Sequence, residues 1–569
     1  MNLSSIRDWD VGALAELESA LSARIGTATD VAAQLAEIGR LLAWQGDTAD
    51  VARGQFHLTT DKLTDEAAAL GAVRTLAGAT FDAVTHLKAE LAELDATAIA
   101  NSMTLNPDGS VDDHGYVDST ALDVVAIRAA LRTELTEAAR ALIRQATDID
   151  DDAATILGRA ARGEIDDFAA GSIDVAAAYG QEQGHLTAPS PPENATPLQN
   201  REYWDALDRT QRDEVLAKNP EWIGNLDGIP ADVRHAANVD RIDTERARLA
   251  ELRAQQEADL PDLHVSGPFA DTYDQAPFRA LAITEQKLRD LDTLAQILDE
   301  GANRLDPADP SRGARLLVLD TESSDVTRAA LAIGDVDNAD HVAVTTPGVR
   351  TTVDSLAGMA DEARLLRAEA ENQLDLAGRG AESVATIAWL DYDPPASVVG
   401  ALSADAAHDA APRLARFYEG LDVASTRPDP HITALGHSYG SYTQSLALQD
   451  PAPGQPVDDA VFYGSPGIDA NDESDLGLRD GHGYVLRAPD DPISKVDGIG
   501  WYGPDPVTTD LEQLSVLGTT IDGLDYEAAS GHSEYPRFSD PAGPYAGRPR
   551  VSGYNMAAII AGLPENAIR

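Results

Sequence analysis

Residues 430–450 read PHITALGHSYGSYTQSLALQD, and the fold is decided in this stretch. Ile432, Ala434 and Leu435 form a short apolar run of the kind that makes a buried strand. Gly436-His437-Ser438-Tyr439-Gly440 follows without a break, and Ser441 to Leu448 continues as a helix with a small apolar face. A strand, then G-x-S-x-G, then a helix is the sequence form of a nucleophile elbow. The spacing has a physical cause. The turn is so sharp that side chains at Gly436 and Gly440 would collide with neighbouring backbone, and the serine between them is held in a strained conformation that pushes its Oγ out at the sheet edge.

Outward from this stretch the chain alternates short apolar runs with helical segments. Arg315–Asp320 (RLLVLD), Ala329–Gly334 (AALAIG), His341–Thr345 (HVAVT), Ser383–Leu390 (SVATIAWL), Ala460–Tyr463 and Tyr484–Arg487 read as strands. Helices are expected over about Val353–Ala377, up to Leu421 before the elbow, and over Asn555–Ala561 at the end. Such alternation implies right-handed βαβ crossovers and an α/β domain with a mostly parallel central sheet.

A serine hydroxyl is a poor nucleophile until a base takes its proton. After an elbow of this type the acid and then the histidine follow in chain order. Of the 12 histidines only His482 and His532 come after Ser438. His482 immediately precedes the Tyr484 strand and so falls at its N-terminal edge, away from the elbow. His532 lies in the polar loop Ala529–Tyr535 (ASGHSEY) ahead of the last helix and is the expected base. The acid should follow the Tyr484–Arg487 strand, where Pro489-Asp490-Asp491-Pro492-Ile493 stands. Asp491 is the expected acid, because the apolar residue after it packs inward, and Asp490 is the alternative. The oxyanion hole should use the backbone N–H of Tyr439 and one from the loop after His341–Thr345. Pro347 has no N–H, so Gly348 or Val349 supplies the second donor. His437 reads as a packing or loop-tethering residue. Asp391 and Tyr392 end a neighbouring strand at the same edge and are candidates to line the pocket, or else to cap that strand.

The segments NPEWIGNLDGIPADVRHAAN, VTTPGV, WLDYDPP, GHSYGS, YGSPG and GHSEY occur in this order. Together they resemble the actinobacterial α/β-hydrolases grouped as DUF1023, over roughly Gln199 to the C-terminus. The resemblance implies an α/β-hydrolase fold with a Ser-Asp-His triad, and it implies no substrate. WLDYDPP carries Asp391 where that family leads one to expect glycine.

The first part of the chain has a different texture. Leu14, Leu17, Leu21 and Ile25 recur at helical spacing, as do Leu35, Ile38 and Leu42, and the pattern breaks at Trp44-Gln45-Gly46. A second long helix is expected from about Thr48 to Asp95. Two long helices joined at W-x-G resemble the WXG100-like hairpins associated with type VII secretion. The Y-x-x-x-D/E signal of that class occurs only at Tyr418–Asp422, far from the hairpin. Asn106-Pro107-Asp108-Gly109 is a turn signal, Thr120–Gln145 a third amphipathic helix, and Asp148–Asp152 an acidic break. These features predict an all-helical N-terminal domain over 1–183, a Pro/Ser/Thr-rich linker over 184–200, a helical region over 201–312 that packs on or covers the hydrolase, and the α/β-hydrolase domain over 313–569.

Composition narrows the function. The 569 residues are 43% hydrophobic and 24% charged, with a net charge of -53 and a pI near 4.3. Such a field repels nucleic acid and anionic membrane surfaces. There are no cysteines, which excludes disulfides, thiolate nucleophiles and Cys-ligated metals. The N-terminus MNLSSIRDWDVGALAELESAL shows no signal peptide, and no run approaches the ~18 apolar residues of a membrane span. The expectation is a serine hydrolase of small-molecule or lipid esters, esterase or lipase-like, needing no cofactor or metal, and cytoplasmic or exported by a non-Sec, type VII-like route. The apolar stripes of the N-terminal helices suit self-association or pairing with a helical partner. The alternatives are an amidase or peptidase with the same triad, or a type VII-associated helical effector or binding protein with a vestigial hydrolase domain.

Overall fold

The computed structural model describes residues 1–41, 46–115, 122–260, 276–300, 303–305, 309, 312–449, 455–479, 481–495 and 502–569. Trp44 and Gln45 of the W-x-G signal lie outside the described residues, as do Thr120 and Ala121 at the expected start of the third helix. The chain divides into two compact units, Met1–Ser190 with Leu207–Glu214, and Pro191–Ala206 with Val215–Arg569.

The second unit is built on an eight-stranded sheet. Its strands are β1 (Ala314–Asp320), β2 (Arg328–Ile333), β3 (His341–Thr346), β4 (Val384–Leu390), β5 (His431–His437), β6 (Asp459–Tyr463), β7 (Gly483–Leu486) and β8 (Glu512–Leu514). Their spatial order is β8-β7-β6-β5-β3-β4-β2-β1. β3 to β8 run parallel, while β2 is antiparallel to both β1 and β4. The alternation of strands and helices does not hold at this end. Only Thr321–Thr327 connects β1 to β2, too short for a crossover helix, so the two form an antiparallel hairpin. The central strands are covered on both faces, and Val342, Val344, Ile387, Ile432 and Ala434 are all buried. That is why they read as continuous apolar runs rather than alternating ones.

One face of the sheet packs Leu316, Val318, Trp389, Ile432 and Phe462 against Leu414, Phe417 and Tyr418 of the helix Asp405–Ala424. The other packs Val384, Leu435, Val461 and Tyr484 against the helices Val353–Leu376 and Val551–Ile560. The last helix is longer than expected, and all of its residues are buried.

The segment before the sheet closes the outer edge of β1. The Asn225 side chain donates to Leu319 O and accepts from Leu319 N, both at 2.9 Å, as the next strand would. Further along, Arg234 Nε donates to Leu317 O (3.0 Å) and Asn238 Nδ2 to Leu316 O (3.2 Å), while His235 Nδ1 accepts from Leu316 N (3.0 Å). These side chains satisfy backbone groups that would otherwise offer an open strand edge. The helix Ala231–Ala258 carries three of them, and its partner Ala276–Asp299 packs beside it. Pro197–Asn200, at the end of the Pro/Ser/Thr-rich stretch, forms the first turn of the helix Pro197–Ala206.

Among its described residues the first unit is helical apart from loops and a small hairpin, Met103–Leu105 with Val111–Asp113, around the Asn106–Gly109 turn. Its long helices are Val11–Leu41, Asp47–Ala100 and Leu122–Arg162. The acidic stretch Asp148–Asp152 does not break the third helix, which continues to Arg162. The buried Ala146 and Ile156 keep an apolar stripe running past the acids, and Asp152 accepts from the backbone N–H and hydroxyl of Thr187 at 2.7 Å. The helix Ile173–Glu182 lies so close to Asp47–Ala100 that a Cβ at Gly180 would stand 1.9 Å from Ala68 O.

Candidate active site

The elbow has the backbone its sequence demands. Ser438 sits at φ 53°, ψ -126° between β5 and the helix Tyr439–Ala447. A Cβ on Gly436 would lie 2.8 Å from Ser441 Cα, and one on Gly440 would lie 2.2 Å from Thr346 O, so only glycine fits at either place. The strained serine is held by its own N–H, which donates to Tyr463 O at 3.0 Å.

His532 reaches this serine from the loop before the last helix. Its Nε2 stands 2.9 Å from Ser438 Oγ, and its Nδ1 stands 3.0 and 3.1 Å from the two carboxylate oxygens of Asp491. A carboxylate only accepts, so Nδ1 carries the hydrogen and Nε2 turns a lone pair to the serine. Asp491 is 1% exposed. Burial opposes its charge, but His532, the Ile493 N–H (2.9 Å) and the Tyr535 hydroxyl (2.7 Å) outweigh burial and hold the carboxyl below its ordinary range. Asp490 faces elsewhere. It accepts from Ser530 Oγ at 2.6 Å and from Gly531 N at 2.8 Å, and so anchors the histidine loop. His482 lies before β7 with a side chain 63% exposed, paired with Glu473 at 2.6 Å.

The loop after β3 presses on the serine from the other side. A Cβ on Gly348 would lie 2.6 Å from Ser438 Cβ and 3.1 Å from its Oγ. Tyr439 opens its helix, so its N–H is one of the first-turn donors that a helix leaves unpaired. Val349 is half-buried beside Gly348, and the next residue, Arg350, has φ 67° and donates its N–H to Pro395 O at 2.9 Å. Tyr392 is fully buried, and its hydroxyl donates to Pro347 O. It therefore supports this loop from beneath rather than lining an open pocket. Asp391 belongs to a charged set: burial pushes its carboxyl up to about 7, against the pull of Arg413, whose Nε donates to Asp391 O at 3.0 Å.

His437 ties the two halves of the site together. Its Nε2 is 2.9 Å from His532 O, so that nitrogen carries the hydrogen, and its ring stacks on Tyr463 at 5.0 Å. Burial, with His532 beside it, pushes its pKa down to about 4, which keeps it neutral at physiological pH. Tyr463, Gly464 and Tyr535 join the site without any motif role in the sequence to mark them. Gly464 has φ 57°, and a Cβ there would lie 3.2 Å from both Asp491 Oδ2 and His532 Nδ1. Tyr535 was in plain view three residues after His532, but its reach to Asp491 depends on the path of the loop.

Among the described residues no group of three or more His, Asp or Glu is placed to hold a metal ion, and no helix is long and apolar enough to cross a membrane.

A family model described as an alpha/beta hydrolase matches residues 322–500, a span that includes Ser438 and Asp491 and ends before His532. Uncharacterized proteins of Mycobacterium bovis and Mycobacterium tuberculosis are 42% identical to this chain over 209 residues, which is 36% of this chain and 77% of each relative. A further uncharacterized protein of Mycobacterium tuberculosis is 31% identical over 365 residues, 62% of this chain and 53% of the relative. With the sheet order, the elbow after β5 and these matches together, the chain belongs to the α/β-hydrolase family.

Proposed function

We propose that this protein is a serine hydrolase that cleaves carboxylic esters through Ser438, His532 and Asp491. The observation that supports this most is the unbroken hydrogen-bonded chain from Ser438 Oγ through the His532 ring to the buried Asp491. Ser438 Oγ attacks the ester carbonyl while His532 Nε2 takes its proton. Asp491 holds the Nδ1–H tautomer and stabilises the imidazolium as it forms. The N–H of Tyr439, with that of Gly348 or Val349, receives the negative charge of the tetrahedral intermediate. His532 then returns the proton to the departing alcohol, leaving an acyl-serine. A water activated by the same histidine releases the acid, so the cycle needs no cofactor.

The same chemistry serves an amide, so the test must include one. Turnover of p-nitrophenyl esters of increasing acyl length is compared with that of peptide anilides. Ester cleavage that varies with chain length supports the proposal, and cleavage of anilides alone moves the assignment to an amidase or peptidase. We place the natural substrate among small-molecule or lipid esters. The helical first unit is proposed as an association module without chemistry, and a type VII-like export route belongs to the same proposal.

A further inference from the structure

We propose that Tyr535 is a positioning residue of this site: its hydroxyl fixes the Asp491 carboxylate against His532 and draws off part of its negative charge. The proposal rests on the triad reading given above. Tyr535 is fully buried, and its ring packs beside Tyr463 at 5.7 Å. Its hydroxyl lies between two partners, Ala488 N at 2.8 Å and Asp491 Oδ2 at 2.7 Å. The Ala488 N–H can only donate, so the phenol oxygen accepts there, and the single hydroxyl hydrogen points at the carboxylate. The direction of the bond is thus fixed by its neighbours.

The consequence is electrostatic as well as geometric. Asp491 Oδ1 already accepts from Ile493 N at 2.9 Å, and both oxygens share His532 Nδ1. A third donor spreads the carboxylate charge and weakens its hold on an imidazolium. Tyr535 therefore keeps His532 available as a base at lower pH than Asp491 alone would. Three described ionisable groups near the pair are engaged otherwise. His437 stays neutral, Asp490 is turned to Ser530 and Gly531, and Arg487 is bound to Asp505.

The test is the pH dependence of fluorophosphonate labelling at Ser438, which needs no knowledge of the substrate. In Tyr535→Phe the ring and its packing remain. The acidic limb of the labelling rate should move to higher pH by roughly half a unit, with a loss of up to about threefold on that limb. Placing 3-fluorotyrosine at position 535 makes the hydroxyl a stronger donor and should move the limb the other way. That variant keeps the bond to Ala488 N, so it remains informative where the phenylalanine variant loses stability through the unpaired N–H. A purely structural role would lower labelling equally at every pH. An unmoved limb in both variants overturns the proposal while leaving the triad reading intact. Absence of labelling in the unmodified protein overturns both.

Discussion

Gly348→Ala puts the reading of the oxyanion loop under direct strain. The new methyl group would stand 2.6 Å from Ser438 Cβ, 3.1 Å from its Oγ and 3.2 Å from His437 O. Carbon atoms in contact sit about 3.5–4.0 Å apart, so the loop or the serine must move by roughly 1 Å. The loop is not free to yield. Tyr392 is bonded to Pro347 O, Thr351 Oγ1 donates to Gly348 O at 2.9 Å, and Arg350 N donates to Pro395 O at 2.9 Å. A displacement of that size at a reacting centre costs about 10²-fold, and removal of one oxyanion donor costs about 10²–10³-fold, or roughly 3–4 kcal/mol of transition-state stabilisation. We expect kcat/KM on a p-nitrophenyl ester to fall within that span, with the far-ultraviolet circular dichroism unchanged. Gly358→Ala is the matched control. It lies in the helix Val353–Leu376 with open space where the Cβ would go, so activity should hold and stability rise by about 0.5–1 kcal/mol. Activity within about twofold of the unmodified protein in Gly348→Ala would refute the placement of the donor loop against Ser438.

Asp491→Asn should lower kcat by about 10³–10⁴-fold, because the amide no longer enforces the Nδ1–H tautomer. Asp490→Asn should cost less than about tenfold, since it only loosens the anchor of the histidine loop; equal losses would overturn the choice of acid. Between about pH 5 and 8 activity should rise with pH as a histidine base requires, and a flat kcat/KM profile across that range would exclude one. Burial pushes Asp337 up from 3.8 to about 7 while its carboxylate accepts from Ala231 N at 2.7 Å. An acid whose folded pKa is raised gives stability while protonated, and that stability drains away as pH climbs from about 4 to 7. Asparagine keeps the acceptor without the charge, so Asp337→Asn should gain on the unmodified protein by about 3 kcal/mol between pH 4.5 and 8 in urea unfolding. A difference that stays constant with pH would contradict the assignment.

Much of the candidate site was legible because its residues answer to local rules. The elbow declares itself through two glycines that no other residue can replace. His532 follows from elimination among two histidines, and Asp491 from its position just after a strand end. The losses have physical causes. β8 is a short, half-buried edge strand, Glu512-Gln513-Leu514, with no apolar run to reveal it. The antiparallel turn of β2 is set by the length of Thr321–Thr327, which strand patterning alone does not weigh. Asp148–Asp152 looked like a break because acidic residues favour solvent, yet a helix tolerates them on its outer face while its buried stripe continues. The segment around Asn225 and Asn238 was expected to pack on or cover the hydrolase, and its amides close the edge of β1, a detail that no sequence pattern announces. His437, read as a packing or loop-tethering residue, bonds to His532 O, whereas Tyr535 meets a carboxylate through a tertiary contact that no spacing rule foretells.

If Ser438 is an activated nucleophile, a serine-directed probe must find it. Treatment of the full-length protein with a fluorophosphonate, digestion and mass spectrometry of the peptides locate the adduct directly. One adduct is expected, on Ser438, formed rapidly at pH 8 and absent in Ser438→Ala and His532→Ala. An adduct on another residue, or equal labelling in Ser438→Ala, would contradict it.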